Sequence, residues 1–261
     1  MTVRAFDDER SSWVVVPARD EAAHIGEALT ALDAAALRAP GPVHLAVVDD
    51  GSTDATPEIA AEWSAAWQHG EAHVLPGPAA GSGWARRVGL DHAITAASAL
   101  GDPASLIATT DADSVVPGDW LVKLHAFVGD GHAVIAGDVR LGDGADPLLA
   151  MERELRLERR LTALRAVEPG AVHPHFAGAN LAFTLAALRQ LTPLPTPEAL
   201  EDDALLQRCR EAGLPVLRAH GIAITTSPRI HGRAVQGLAA TLADDARRLG
   251  LGDLLADEQP V

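Results

Sequence analysis

The sequence predicts an α/β fold in which a mostly parallel central sheet is covered by helices on both faces. Three observations predict it. Short apolar runs alternate with longer helical patterns in the first half of the chain, and such alternation builds parallel sheets through crossover connections. Apolar residues make up 48% of the 261 residues, which is enough for the core of one large domain. Acidic residues follow several of the apolar runs, where ligands bind in open parallel sheets.

The first half of the chain contains the regular alternation. Apolar runs predict strands at Ser12–Pro17, Val43–Val48, His73–Leu75, Ser105–Thr110 and Ala133–Gly137. Helical patterns are found at Glu21–Leu37, Pro57–Trp67, Trp84–Ala99 and Gly118–Val128. Thr56 is a suitable N-cap because Pro57 then occupies the first helical position.

The second half follows a different pattern, so we place a soft boundary near residue 140 within one integrated domain. Its elements are an Arg-rich helix Ala150–Val167, a loop Pro169–Asn180, a short helix Leu185–Leu191, a Pro-rich loop Thr192–Pro197, a helix from about Glu201 to Ala212 and a last strand Ile222–Thr226. Gly213 is a good residue to end the helix before it, and Pro215 blocks its continuation.

Composition and charge exclude several classes of function. The formal net charge is −15, which makes a general nucleic-acid binder a poor interpretation because phosphates are neutralised by clustered Lys and Arg. No apolar run approaches the roughly 18 residues of a membrane span, and residues 1–10 lack the apolar core of a signal peptide. The single cysteine, Cys209, excludes an internal disulfide framework. We therefore expect a cytoplasmic protein.

Carboxylates gather after three predicted strands, in the segments Asp20–Glu21, Asp49–Asp54 and Asp111–Asp113. Asp54 fits a capping role as well as a functional one. Three acidic clusters on one rim would repel each other unless a cation or a donor-rich ligand lies there. The two carboxylates of the D-x-D motif, Asp111 and Asp113, can reach one hard cation and leave positions for water and phosphate oxygens. We expect Mg²⁺ or Mn²⁺ there, together with a diphosphate.

Asp50 is expected to contact another part of the ligand. A carboxylate accepts hydrogen bonds from N–H groups, so Asp50 can bind the imide edge of uracil or the edge of guanine. Gly51 allows the tight turn beside it.

Several segments, in this order, resemble family 2 glycosyltransferases of the GT-A fold. The resemblance covers about residues 12–235 and is found in V-V-V-P-A-R-D-E at 14–21, V-V-D-D-G-S-T-D at 47–54, Gly81–Leu90, T-T-D-A-D-S at 109–114, Gly178–Phe183, Glu201–Arg208 and His231. The resemblance implies a Rossmann-like sheet with a smaller C-terminal acceptor-binding region. Residues 1–140 would then bind the nucleotide sugar, and residues 141–261 would bind the acceptor and supply the base.

The resemblance also implies the site residues. Family 2 enzymes invert the anomeric centre, so Asp202 is expected to be the general base, flanked by Glu201. His231 is expected to join Asp111 and Asp113 at the metal, and Arg229 and Arg233 bracket it and are expected to close over the phosphates. The residues expected to bind the UDP- or GDP-sugar donor are Pro17, Ala18, Arg19, Glu21, Asp50, Arg86, Asp111, Ala112, Asp113 and Arg233.

Departures from the family pattern leave the donor open. Asp20 stands where the family usually has Asn, Ser82 where Lys is frequent, and Arg87 where Asn is usual. The chain has no Tyr, so no tyrosine can stack on the base. The acceptor, whether a small molecule, a glycan or a lipid-linked compound, is not specified by these segments.

Other functions were weighed against sugar transfer. A nucleotidyltransferase shares the sheet and the metal but carries a Gly-rich loop after the first strand, and here no glycine precedes Gly26 in that region. A catalytically silent nucleotide-sugar-binding module would not need both D-x-D carboxylates and Asp202. A dehydrogenase is disfavoured because no G-x-G-x-x-G follows a strand.

The remaining features have structural interpretations. We expect His173 and His175 to be polar surface residues and Cys209 to lie in the core. Acidic residues interleave with the arginines of helix 150–167, which favours a solvated face over contact with an anionic membrane. Peripheral membrane contact and a homodimer both stay open.

Overall fold

The computed structural model describes residues 10–101, 105–195, 201–231 and 237–256. In this part of the chain the strands are β1 (Ser12–Ala18), β2 (Val43–Asp49), β3 (Ala72–Pro76), β4 (Leu106–Thr109), β5 (Ser114–Val115), β6 (Val134–Leu141), β7 (Leu181–Thr184) and β8 (Val216–Thr226). The helices are α1 (Ile25–Ala36), α2 (Thr56–Ala66), α3 (Ser82–Leu100), α4 (Trp120–Gly129), α5 (Pro147–Arg165), α6 (Leu185–Leu191), α7 (Glu201–Glu211), α8 (Leu238–Leu249) and α9 (Gly252–Ala256).

The strands form one mixed, mostly parallel sheet in the order β3-β2-β1-β4-β7-β6-β8-β5. β1 pairs in parallel with β2 and β4, and β2 pairs in parallel with β3. β7 runs antiparallel between β4 and β6, while β6 and β8 are parallel. The predicted α/β class with a mostly parallel sheet is therefore confirmed, and both halves of the sequence contribute strands to the same sheet.

Alternate residues of β1 face opposite sides of the sheet, as the two-residue period of a strand requires. Val14 and Val16 pack in one core cluster with residues of α1 and α4. Trp13 and Val15 pack in the other with residues of α3, α6 and α7. Cys209 of α7 is fully buried in this second cluster, which confirms its predicted place in the core. The sheet is thus covered on both faces.

The sequence did not indicate several elements of the second half. β7 lies in and just after the segment Gly178–Phe183, where no strand was predicted. β8 begins six residues before the predicted strand at Ile222. The register of β6 against β8 shifts between Ala136 and Asp138, so β8 has extra residues there. Gly221, with φ of 80°, supplies a left-handed turn within this irregular stretch.

The C-terminal helices pack against the Arg-rich helix α5. Leu149 of α5 forms a small apolar cluster with Leu242 and Ala246 of α8. Arg156 also donates to Asp245 at 2.6 Å. One side of α5 is therefore packed rather than solvated. Among the described helices, none is both long and apolar enough to cross a membrane.

Candidate active site at the rim of the sheet

The loops after β1 and β2 are joined by carboxylate hydrogen bonds. Asp20 Oδ1 accepts from Thr53 N at 2.6 Å and from Thr53 Oγ1 at 3.0 Å. Asp54 accepts from Ala22 N and from Thr56 N, both at 3.0 Å. Because these carboxylates satisfy backbone donors of the two turns, Asp20 and Asp54 build the rim of the site.

Asp50 is buried at the end of β2, with 1% of its surface exposed. Its two carboxylate oxygens accept from Ala80 N at 3.3 Å and from Gly81 N at 2.7 Å. Arg19 Nη1 lies 3.9 Å from Asp50 Oδ2. Gly81 has φ of 109°, a conformation that glycine adopts without strain. Both carboxylate oxygens of Asp50 therefore accept hydrogen bonds from the loop before α3. The expected contact of Asp50 with a nucleobase stays a prediction.

The D-x-D motif lies between β4 and β5, and each of its carboxylates contacts an arginine. Arg86 Nη2 donates to Asp111 Oδ1 at 2.6 Å. Arg229 Nη2 lies 2.8 Å from Asp113 Oδ2. Arg229 also forms two hydrogen bonds with Glu21, at 2.8 and 2.5 Å. One guanidinium thus links the carboxylate after β1 with the carboxylate after β4.

The charge state of Asp113 reflects this crowding. Burial and the negative charge of Asp111 together raise the pKa of Asp113 to about 6, although the positive charge of Arg229 opposes the rise. The side chain of Asp113 is 14% exposed and that of Asp111 is 34% exposed. A bound cation would relieve the repulsion between these two carboxylates. The partly exposed side chain of Asp111 means that a cation can reach them from solvent. The donor set therefore fits a hard divalent cation such as Mn²⁺ or Mg²⁺.

A tight turn at Gly178–Asn180 connects the D-x-D rim with the predicted base. The N–H of Gly178 donates to Asp202 Oδ1 at 3.0 Å, and its carbonyl accepts from the hydroxyl of Thr109. A Cβ on Gly178 would lie 2.2 Å from Arg86 Cζ, so any larger residue would force the guanidinium to move. Asn180, 1% exposed, anchors the turn by donating to the carbonyl of Asp138 at 2.8 Å.

Asp202 and Arg86 line the same pocket, which contains about 440 Å³ of empty space including open solvent. Asp202 is half-buried at the start of α7, whereas the next residue, Asp203, is exposed. The apolar part of the pocket wall is formed by Leu90, Leu181, Phe183, Leu194 and Leu205. A polar edge beside an apolar wall can orient a substrate by its polar groups.

The other predicted donor residues occupy different positions around the rim. Pro17 and Ala18 end β1 and are buried, and Ala112 packs in the core with 2% of its surface exposed. Their contact with a donor stays a prediction. The side chain of Arg19 is 42% exposed, so it is accessible to a ligand.

Three predicted site residues remain, namely His231, Arg233 and Glu201. His231 is exposed. Among the described residues, Asp111, Asp113 and His231 do not bring three ligand atoms together. Arg233 and the side chain of Glu201 lie outside the described part of the chain. Their predicted roles remain predictions.

The structure corrects the expectation that His173 and His175 lie on the surface. His173 is 6% exposed, and the side chain of His175 is 10% exposed. Together with Asp138 they bring ligand atoms within 4.8 Å of one another. The sequence interpretation missed this group because Asp138 lies on β6, far from the histidines in the chain, and no local spacing links them. It also missed the contact of Arg229 with Glu21, which is 208 residues away.

Known structures share the fold of the chain. TarS 1–349 of S. aureus, in complex with UDP-GlcNAc, is similar with a TM-score of 0.58 and 16% identity, over 96% of this chain and 68% of that chain. Glucosyl-3-phosphoglycerate synthase from M. tuberculosis, in complex with Mn²⁺, UDP and glucosyl-3-phosphoglycerate, is similar with a TM-score of 0.54 and 23% identity, over 96% and 81%. These neighbours are GT-A glycosyltransferases, so the predicted GT-A fold is confirmed. Among curated proteins, no sequence matches the chain significantly.

The family model described as glycosyl transferase family 2 matches residues 13–192. This range includes the three acidic segments, the Arg86 segment and the Gly178 turn. Because the match covers more than half of the sequence, the chain belongs to glycosyl transferase family 2.

Proposed function

We propose that the protein transfers a sugar from a nucleoside-diphosphate sugar to an acceptor hydroxyl, with inversion at the anomeric carbon. The observation that supports it best is that the Gly178 turn contacts both Arg86, the partner of Asp111, and Asp202. The site would thus have a phosphate-facing side and a base-facing side next to each other. The neighbours named with UDP or UDP-GlcNAc make uridine donors the first to test.

The phosphate side of the site is formed by carboxylates and arginines. A divalent cation bound at Asp111 and Asp113 would neutralise charge that develops on the leaving nucleoside diphosphate. Arg86 holds Asp111 in place and keeps a positive charge beside the proposed position of the diphosphate. Arg229 holds Asp113 and Glu21, and its guanidinium can turn toward a phosphate when a cation takes over its charge-pairing with Asp113.

The acceptor side is formed by Asp202. In the proposed mechanism its carboxylate takes the proton of the acceptor hydroxyl as that oxygen attacks the anomeric carbon. The N–H of Gly178 donates to Oδ1 of Asp202 and so fixes the orientation of this carboxylate. Asp203 is exposed and does not share this position.

Metal-dependent nucleotide binding tests the donor side. Asp111→Asn and Asp113→Asn should each weaken Mn²⁺-dependent binding of UDP at least tenfold, because each removes an anionic ligand. Calorimetric titration of UDP with and without Mn²⁺ measures this, with Asp119→Asn as an exposed control that is paired with Lys123. Unchanged binding and an unchanged response to Mn²⁺ in both D-x-D variants would show that the donor does not bind there.

A further inference from the structure

A second cluster of metal-ligand side chains lies on β6 and in the loop before the Gly178 turn. His175 Nδ1 lies 2.9 Å from Asp138 Oδ1. The ring centroids of His173 and His175 are 5.8 Å apart. One ligand atom from each of the three residues lies within 4.8 Å of the others. This cluster shares no residue with the D-x-D motif.

The burial of His173 points to a ligand. The side chain is more than nine-tenths buried. Within the described part of the chain neither ring nitrogen forms a hydrogen bond, apart from a weak backbone interaction with Ala219. An imidazole buried with so little hydrogen bonding loses its bonds to water, which costs free energy. A cation on one nitrogen would replace that lost interaction.

The protonation states of the cluster suit a cation. Burial lowers the pKa of His173 to about 4, so the ring is neutral near pH 7. Although burial alone would raise the pKa of Asp138, its hydrogen bond and charge interaction with His175 hold it well below its usual range, so the carboxyl is ionised. Metals bind neutral imidazole and ionised carboxylate, and the proton that His175 Nδ1 donates to Asp138 would be released on binding.

The distances also suit a small tetrahedral ion. Two ligands of zinc lie about 3.3 Å apart when each bond is about 2.0 Å long, so the hydrogen-bonded pair His175 Nδ1 and Asp138 Oδ1 would need to separate only slightly from 2.9 Å. The side chain of Asp138 is 27% exposed, so water can reach the cluster and complete the coordination. Two imidazoles with one carboxylate favour Zn²⁺ over Mg²⁺, which prefers oxygen ligands.

Two buried arginines border the cluster and limit its affinity. Arg153 Nη2 donates to Val139 O at 2.7 Å and lies 3.4 Å from His175 Nε2, so Nδ1 is the nitrogen available to a cation. Binding there would replace the 2.9 Å hydrogen bond between His175 Nδ1 and Asp138 Oδ1. The charge of Arg218 is already paired with Glu168 at 2.8 Å. A site beside these charges should bind zinc more weakly than a closed four-ligand site.

We propose that Asp138, His173 and His175 bind a Zn²⁺-type cation that fixes the loop before Gly178 against β6. The site is separate from the hard-metal site of the D-x-D motif, and its existence does not depend on the sugar-transfer function. Through the loop it would hold the turn that contacts Arg86 and Asp202.

The test uses the untagged, full-length protein carrying Asp113→Asn, which weakens the other metal site. After EDTA treatment and dialysis, Zn²⁺ titration with elemental analysis should give one zinc per chain, and Co²⁺ should give the absorption bands of a four-coordinate ion. Adding His173→Gln should weaken Zn²⁺ binding at least tenfold and abolish the rise in Tm that Zn²⁺ causes. His220→Gln, at an exposed histidine of β8, is the matched control and should change neither measurement.

Two results would overturn the proposal. One is that the Asp113→Asn protein binds no zinc, which would show that Asp138, His173 and His175 do not form a zinc site. The other is that His173→Gln binds zinc as its parent does. If His173→Gln does not fold, Asp138→Asn replaces it, and the zinc content of the Asp113→Asn protein still decides whether the site exists.

Discussion

At the scale of single residues, Arg229 balances the charge of the rim. Its guanidinium contacts Glu21 and Asp113, which follow different strands. Desolvation alone would lower the pKa of Arg229, but its hydrogen bonds to Glu21 and the charges of both carboxylates raise it. Arg229 therefore lies against the carboxylate of Asp113, where a cation bound to Asp113 would also lie. Arginine and metal should compete for that carboxylate.

The competition predicts how Arg229→Ala behaves. Without metal the variant should lose about 1–3 kcal/mol of stability, because it leaves two carboxylates unpaired in a site where Arg229 is itself partly exposed. Mn²⁺ should then raise the Tm of the variant more than that of the wild type. Arg247→Ala, whose arginine is 63% exposed, is the control and should stay within about 0.5 kcal/mol. An equal Mn²⁺ effect on Arg229→Ala and wild type would contradict the competition.

The raised pKa of Asp113 predicts a pH dependence. The folded pKa of about 6 lies above the ordinary value of 3.8. The metal-free protein should therefore lose stability as the pH rises from 3.8 to about 6. Bound metal requires the ionised carboxylate. Affinity for Mn²⁺ should therefore fall about tenfold for each pH unit below about 6 and level off above it. Calorimetry between pH 5 and 7.5 measures this, and an affinity that does not change with pH would refute it.

Sequence motifs predicted several site residues but not the surroundings of all of them. Short sequence motifs were sufficient to single out Asp111, Asp113 and Asp202 as candidate site residues. The expected contact of Asp50 with a base stays a prediction; the sequence did not indicate that its oxygens accept from the loop before α3, whose conformation depends on Gly81. The burial of His173 depends on β6 and β8, which are distant in the sequence.

At the scale of elements, the Gly178 turn is the connection between the two sides of the site. It follows the loop of His173 and His175 and leads directly into β7, which pairs with both β4 and β6. β7 was not predicted because it is four residues long, and an antiparallel strand inserted into a parallel sheet has no local signal. Its place in the centre of the sheet nevertheless fixes the turn beside the D-x-D motif.

The close packing of this turn predicts the effect of Gly178→Ala. The added Cβ would overlap Arg86, so the guanidinium should shift away from Asp111. Overpacking of this kind costs about 1–3 kcal/mol. Metal-dependent UDP binding should weaken at least tenfold. Gly26→Ala in α1 is the control, since nothing lies within 4 Å of its Cβ, and it should be neutral or slightly stabilising. A Gly178→Ala protein that melts and binds UDP as wild type does would show that the turn tolerates a side chain.

At the scale of the whole molecule, one sheet brings together groups from both halves of the chain. Periodicity was sufficient to predict the first four strands and their helices, because strand–helix repeats are local. The pairing of β6 with β8 and the packing of α8 on α5 join segments far apart in sequence, so they required the folded chain. Arg229, which follows β8, thereby reaches Asp113, while the hydrogen bond from Gly178 holds Asp202 in the pocket that it shares with Arg86.

The central claim is that this assembly transfers sugar from a nucleoside-diphosphate sugar with Asp202 as base. The most direct measurement incubates the wild type with UDP- and GDP-sugars and Mn²⁺ and identifies the released product. We predict free nucleoside diphosphate, with kcat lowered about 10²–10⁴-fold in Asp202→Asn and little changed in Asp203→Asn. Release of inorganic diphosphate from a nucleoside triphosphate and a sugar phosphate, or full activity in Asp202→Asn, would contradict the account.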